Sequence, residues 1–243
     1  MEQVTGDVLA PRTLDGGRGV SWWSDGWALF MKNPGMWIVL GLLLFVIFVV
    51  LSVIPLIGWL ASSLATPVFI GSWMIAARKV DGGGPLEIGD LFSGFQERAQ
   101  PLLLLGAIFL GVTVVIVLVL GALGAGAAFG MMMSSGHSSG AGVAAAMGAG
   151  MLGLLLTLGL SVLFAMAIWF APALVVFRNV PPFDAVKASF AASLKNIVPF
   201  LLYGLIYLVA AVVAMIPFGL GWVVLVPVGL LTMYVSYKDV FGG

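Results

Sequence analysis

Three long stretches of this chain contain no charged residue: 33–77, 99–177 and 196–237, windows of 45, 79 and 42 residues. A charge at the bilayer centre costs about 2.5–3.5 kcal/mol on insertion scales, so charges mark where apolar helices must end. Each window can hold two spans of ~20 residues, which predicts six. With 62% hydrophobic and 8% charged residues, no soluble surface can be built from what remains. The expected fold is an all-α membrane protein of six transmembrane helices.

The first window divides at Ile54-Pro55-Leu56-Ile57-Gly58 and the third at Ile216-Pro217-Phe218-Gly219, two Pro/Gly turns that predict tight helical hairpins. The middle window exceeds two spans by roughly 39 residues. That surplus is the Gly/Ala/Met stretch from Gly121 to Gly150. Either the third and fourth helices run beyond the hydrocarbon on the far side, or their small-residue segments pack as close-approach helix. All 10 Lys+Arg fall in the N-terminal tail, the 78–98 link, the 178–195 link or the C-terminal end. An even number of spans puts them on one face, and the positive-inside rule makes that face, with both termini, cytoplasmic.

Each hairpin follows an amphipathic stretch: Trp23, Trp27, Phe30 and Met31; then Ile88, Leu91, Phe92 and Phe95; then Phe183, Val186, Phe190 and Leu194. Each reads as a short interfacial helix lying in the headgroup plane. A proline follows each stretch, at Pro34, Pro101 and Pro199, building in the bend toward the span. Exits match too, as Arg78-Lys79-Val80, Arg178-Asn179-Val180 and Lys238-Asp239-Val240, with Pro67 and Pro227 each eleven residues upstream. The expectation is three parallel repeats, approximately 20–80, 85–180 and 182–241, related by an axis along the membrane normal. They form a single six-helix transmembrane domain, 20–243, behind a disordered cytoplasmic tail, 1–19. That tail lacks an apolar h-region and so does not read as a cleavable signal peptide.

Gly26-Trp27-Ala28-Leu29-Phe30 with Asn33-Pro34, Leu91-Phe92-Ser93-Gly94-Phe95, Trp169-Phe170-Ala171-Pro172-Ala173-Leu174-Val175 and Tyr234-Val235-Ser236-Tyr237-Lys238-Asp239-Val240-Phe241 resemble an uncharacterised family of proteobacterial multi-pass inner-membrane proteins. More loosely, the repeated unit is similar to the membrane domain attached to some glycerophosphodiester phosphodiesterases. The resemblance implies a bacterial inner membrane and brings no activity with it. No phosphodiesterase catalytic domain is legible in the chain.

Chemistry is sparse. With no cysteine and a single histidine, His137 in a Ser/Gly stretch, the spans offer neither a nucleophile beside a base nor a metal-ligand set, so no cofactor is expected. Gly82-Gly83-Gly84-Pro85 lacks the Lys and Ser/Thr of a phosphate loop and reads as a turn. No Asp, Glu, Arg or His lies within a span, which removes the usual mark of ion-coupled transport. The candidate lipid-headgroup contacts are Arg78, Lys79, Arg98, Arg178, Lys187 and Lys195, although topology alone explains cations there. Pro67, Ser72, Pro172 and Pro227 are candidate kinks or cavity-lining positions.

The leading expectation is a non-enzymatic accessory or assembly component working through helix packing and lipid contact. Its partners would be membrane lipids and a membrane protein or second copy of the chain, with no nucleic acid. The alternative is a small transporter or pore for neutral or amphiphilic molecules.

Overall fold

The computed structural model describes residues 10–134 and 140–242, and among these there are helices and turns but no strand. In chain order the helices are α1 (Arg18–Met31), α2 (Pro34–Ser52), α3 (Ile57–Asp81), α4 (Ser93–Glu97), α5 (Ala99–Ser134), α6 (Gly140–Ile168), α7 (Ala171–Arg178), α8 (Pro182–Lys195), α9 (Ile197–Met215) and α10 (Trp222–Phe241). Among the described residues, six helical stretches are long and apolar enough to cross a membrane: Pro34–Ser52, Ile57–Asp81, Ala99–Ala122, Gly150–Arg178, Ile197–Met215 and Trp222–Phe241. That is the number the charge-free windows require. The chain forms two compact units, one of Ile108–Ala165 and one of the remainder.

In the larger unit the bend between α1 and α2 is built by Asn33 and Pro34. The Asn33 side chain accepts the Met36 N–H, and Pro34 takes the first helical position, where its missing donor costs nothing. The two short hairpins share one device. Leu56 is left-handed in the first turn (φ 62°), as are Phe218 and Gly219 in the second (φ 54° and 81°). Gly58 presses on the Leu51 backbone and Gly221 on the Ala214 backbone, each seven residues earlier, so closely that a Cβ would overlap it.

Helices α3 and α10 form the interior. In each, 56% of the membrane-length window is buried, against 11% for α2 and 17% for α9. α3 packs on α7 and α10, while Phe177 of α7 meets Tyr234 and Tyr237 of α10 with ring centroids 6.1 and 5.3 Å apart. Around this trio, α1 packs on α10, the 88–97 segment on α3, and α8 on α7.

Close approach at these seams depends on small side chains. Gly26 of α1 lies against Thr232, where an added Cβ would stand 2.7 Å from Cγ2. Gly94 rests on α3, its N–H donating to Ser72 Oγ at 2.9 Å. The 88–97 segment departs from the helix its periodicity suggests: Ile88–Phe92 is a 3₁₀ turn and only Ser93–Glu97 is α-helical. Gly89 and Gly94 weaken a continuous helix, and Asp90 Oδ2 caps the turn by accepting the Glu87 N–H at 2.7 Å.

The fourth span is interrupted at Trp169 and Phe170, just ahead of Pro172. Here Ser189 of α8 is spliced into the helical ladder. Its hydroxyl accepts the Phe170 N–H at 2.9 Å and donates to the Met166 carbonyl at 2.8 Å, replacing the direct bond between those groups. Ser193 donates to the same carbonyl at 3.2 Å. A side chain inserted into the i→i−4 ladder is a recognised cause of a break.

Composition gives residues 1–19 as a disordered tail. From Pro11 on, however, the backbone is engaged: Lys195 Nζ donates to the Pro11 carbonyl, Asn196 Nδ2 to the Arg12 carbonyl, Arg12 N–H to the Val240 carbonyl, and Leu14 N–H to Asn196 Oδ1. Backbone groups that find partners on α8 and α10 order the segment where its own sequence would not.

In the smaller unit, Phe109 and Phe164 meet edge to face at 5.6 Å. Thr157 and Ser161 donate back to carbonyls four residues earlier, as expected for hydroxyls in apolar helices. Of the middle window's surplus, the described residues 121–134 and 140–150 are continued helix: α5 has 36 residues, about 54 Å at 1.5 Å per residue. His137 lies outside the described residues.

Candidate functional site

Of the six cations singled out by sequence, five occupy separate contacts. The Arg78 guanidinium stands 4.5 Å over the Phe177 ring. Lys79 pairs with Asp90 at 3.0 Å. Arg178 donates to Tyr237 Oη and to the carbonyls of Phe241 and Gly242, closing the C-terminal end of α10. Lys187 stands over Phe183 at 4.3 Å, and Lys195 holds Pro11. Arg98 is half-exposed, with no side-chain partner among the described residues.

The four candidate kink positions are interior. Pro67 and Pro227 are buried within α3 and α10, and Pro227 packs on Gly41 of α2. Pro172 is buried one residue into α7, after the break. Ser72 is fully buried; its hydroxyl donates to the Val68 carbonyl at 3.0 Å while accepting from Gly94.

A different set of charges converges. Arg18 and Asp25 of α1, Lys32 just past its end, Asp81 at the end of α3, and Lys238 and Asp239 of α10 line a cavity of about 270 Å³ beside Tyr234. Asp239 accepts from Arg18 and from Trp22 Nε1, the latter at 2.8 Å, and Arg18 reaches Asp25 at 3.3 Å. Asp81 accepts from Lys238 and Tyr234 and lies 3.6 Å from Lys32. The hydrogen bond to Asp239 holds the Arg18 guanidinium above its ordinary pKa. A legible signal existed: Arg18, Asp25 and Lys32 are spaced by seven, two turns apart on one flank of a helix. The distant partners, Asp239 of α10 for Arg18 and Asp81 at the end of α3 for Lys32, left no such trace.

On the opposite flank of α1, Trp23 and Trp27 join Ala214, Pro217, Val224 and Val228 along an open apolar groove of about 680 Å³. Buried hydroxyls elsewhere are committed to packing: Thr232 bonds Tyr203 Oη at 2.8 Å, and Ser236 accepts from Trp169 Nε1 at 2.9 Å.

Among the described residues, six apolar helices of spanning length, with charged groups gathered at one end of each, define a polytopic α-helical membrane protein. The chain is similar to a protein named as a probable inner membrane protein in Burkholderia thailandensis, 28% identical over 198 residues that cover 79% of this chain and 73% of that one. No family model and no solved structure matches it. The likeness and the helices together make it an integral, multi-pass inner-membrane protein.

Proposed function

We propose that the chain is a non-enzymatic accessory or assembly component, acting through helix packing and lipid contact. The observation that carries this reading is how the interior polar groups are used. Ser72, Ser189, Ser193, Thr232 and Ser236 are each bonded into a seam between helices. Outside, apolar side chains such as Phe45, Leu118, Leu154 and Leu205 are at least 60% exposed and offer surface to lipid or to another helix.

The architecture in this proposal is three parallel repeats, each opened by an interfacial element, with both termini cytoplasmic. The packing of the amphipathic segments supports it. α1 of the first repeat rests on the exit helix of the third, the 88–97 segment of the second on the exit helix of the first, and α8 of the third on the exit helix of the second. One rule covers all three seams. Ser72 stands six residues before Arg78 and Thr232 six before Lys238, and each receives a glycine, Gly94 and Gly26. The equivalent position in the middle repeat is Pro172, where the helix breaks and Ser189 fills the gap. α1 itself has three faces: Trp22 and Leu29 buried, Val20, Trp27 and Met31 about half exposed, and Ser21, Ser24 and Asp25 polar, which suits a helix in the headgroup plane. The looser likeness to the phosphodiesterase membrane domain extends to this repeat alone.

The broken fourth span favours one second reading, passage of a neutral or amphiphilic molecule, because interrupted helices are found at transport sites. Purified protein reconstituted in vesicles separates the two. A partner complex of defined stoichiometry in native mass spectrometry, with no solute flux or lipid scrambling, upholds the accessory role. Flux abolished by substitution at Ser72, Pro172 or Pro227 in variants that still express would replace it with the transport reading.

A further inference from the structure

The charged cavity beside α1 has an uneven distribution of charge. Its Arg18, Asp25 and Asp239 end sums to −1, and its Lys32, Asp81 and Lys238 end sums to +1. Asp25 on α1 and Lys32 at its C-cap are seven residues apart, about 10 Å along the helix axis. At 270 Å³ the cavity far exceeds the ~30 Å³ share of one water molecule. Its groups are not exhausted by one another. Asp239 accepts from Arg18 and Trp22 through Oδ2, leaving Oδ1 without a donor among the described residues. Among the described residues Asp25 is held only by the 3.3 Å contact to Arg18, and its side chain is 45% exposed. Lys32 bonds the carbonyls of Val80 and Asp81 at 3.4 and 3.2 Å, with its side chain 46% exposed.

A lone anion or lone cation gains little from a lining that sums to zero, because each end repels what the other attracts. A ligand carrying both signs gains at both ends. We propose that this cavity binds a small zwitterion of the phosphoethanolamine type, its ammonium beside Asp25 and Asp239 and its anionic group beside Lys32 and Lys238. The site stands apart from the accessory reading and uses none of the six cations that sequence marked as headgroup contacts. Its ligand arrives either as a lipid headgroup or as a free soluble zwitterion, which share the recognising chemistry.

The test is native mass spectrometry of the full chain released from bilayers of equimolar phosphatidylethanolamine and phosphatidylglycerol. The wild type should retain the ethanolamine lipid preferentially. Asp25→Asn should lower that retention by roughly two- to fivefold, the scale of one partly exposed ion pair, without lowering retention of the glycerol lipid. Lys32→Gln should lower both, and Glu97→Gln, on an exposed position of α4, should change neither. Soluble phosphoethanolamine added to delipidated protein separates the sources: saturable binding lost in Asp25→Asn assigns a free zwitterion, and its absence together with lipid preference assigns the headgroup. Equal retention of the two lipids by the wild type with no soluble binding, or an Asp25→Asn variant indistinguishable from wild type while both elute as monodisperse protein, overturns the proposal.

Discussion

Ser189→Ala should destabilise the larger unit, and by more than Ser193→Ala, although both serines are buried on the same helix and reach the same carbonyl. Ser189 alone has two duties at the break, accepting from the Phe170 N–H and donating to the Met166 carbonyl. Alanine leaves the carbonyl with Ser193 as its remaining donor but strands the N–H. Measured hydrogen bonds between membrane helices average about 0.6 kcal/mol, while an orphaned buried donor costs about 1–3 kcal/mol. Ser189→Ala should therefore cost about 2 kcal/mol, roughly a thirtyfold shift in the folding equilibrium, and Ser193→Ala about 0.5 kcal/mol. In the double variant the carbonyl loses both donors, so the cost should exceed the sum of the single ones. Reversible unfolding in mixed micelles, followed by circular dichroism, gives all three values. If Ser189→Ala costs no more than Ser193→Ala, the helix has closed its own ladder and the splice contributes nothing to stability.

Gly94→Ala should destabilise by about 1–3 kcal/mol in the same assay, because the new methyl would stand 2.5 Å from the Val68 carbonyl and 2.8 Å from Ser72 Oγ. Gly35→Ala, which meets nothing, serves as the comparison near zero. Among buried indoles, Trp22→Phe should cost about 1.5–3 kcal/mol by removing a bond to a carboxylate. Trp37→Phe should cost clearly less, since its N–H is buried with no partner among the described residues; thermal unfolding of the two variants side by side tests the order. For orientation, single cysteines at Gly83 and at the fully exposed Phe218 should differ toward an impermeant maleimide in intact spheroplasts. Labelling is expected at the second only, and labelling at the first would reverse the proposed topology.

The six spans were legible because each depends on a local and nearly additive quantity, the cost of placing a charge in hydrocarbon, summed over ~20 residues. The entry bend at Asn33-Pro34 and the two hairpin turns were legible for a similar reason, as backbone preferences of a few adjacent residues. The 3₁₀ turn at Ile88–Phe92 escaped the periodicity because Asp90 caps it from within and Gly94 presses on α3, neither of which alters the spacing of apolar residues. In the same way the polar segment from Pro11 looks disordered by composition, yet takes its partners from Asn196, Lys195 and Val240.

Sequence by itself determined that this chain carries six stretches of spanning length, and where the Asn33-Pro34 bend and the two Pro/Gly hairpin turns fall. Tertiary structure alone decided that α3, α7 and α10 are central, that Ser189 mends the fourth span, and that Arg18 and Asp239 meet across 221 positions of chain. The physical reason is the uniformity of hydrocarbon as a solvent. It rewards every apolar helix face alike, so partner choice rests on where a glycine admits close approach and where a hydroxyl or charge finds its complement, and those pairings are fixed only once the helices pack.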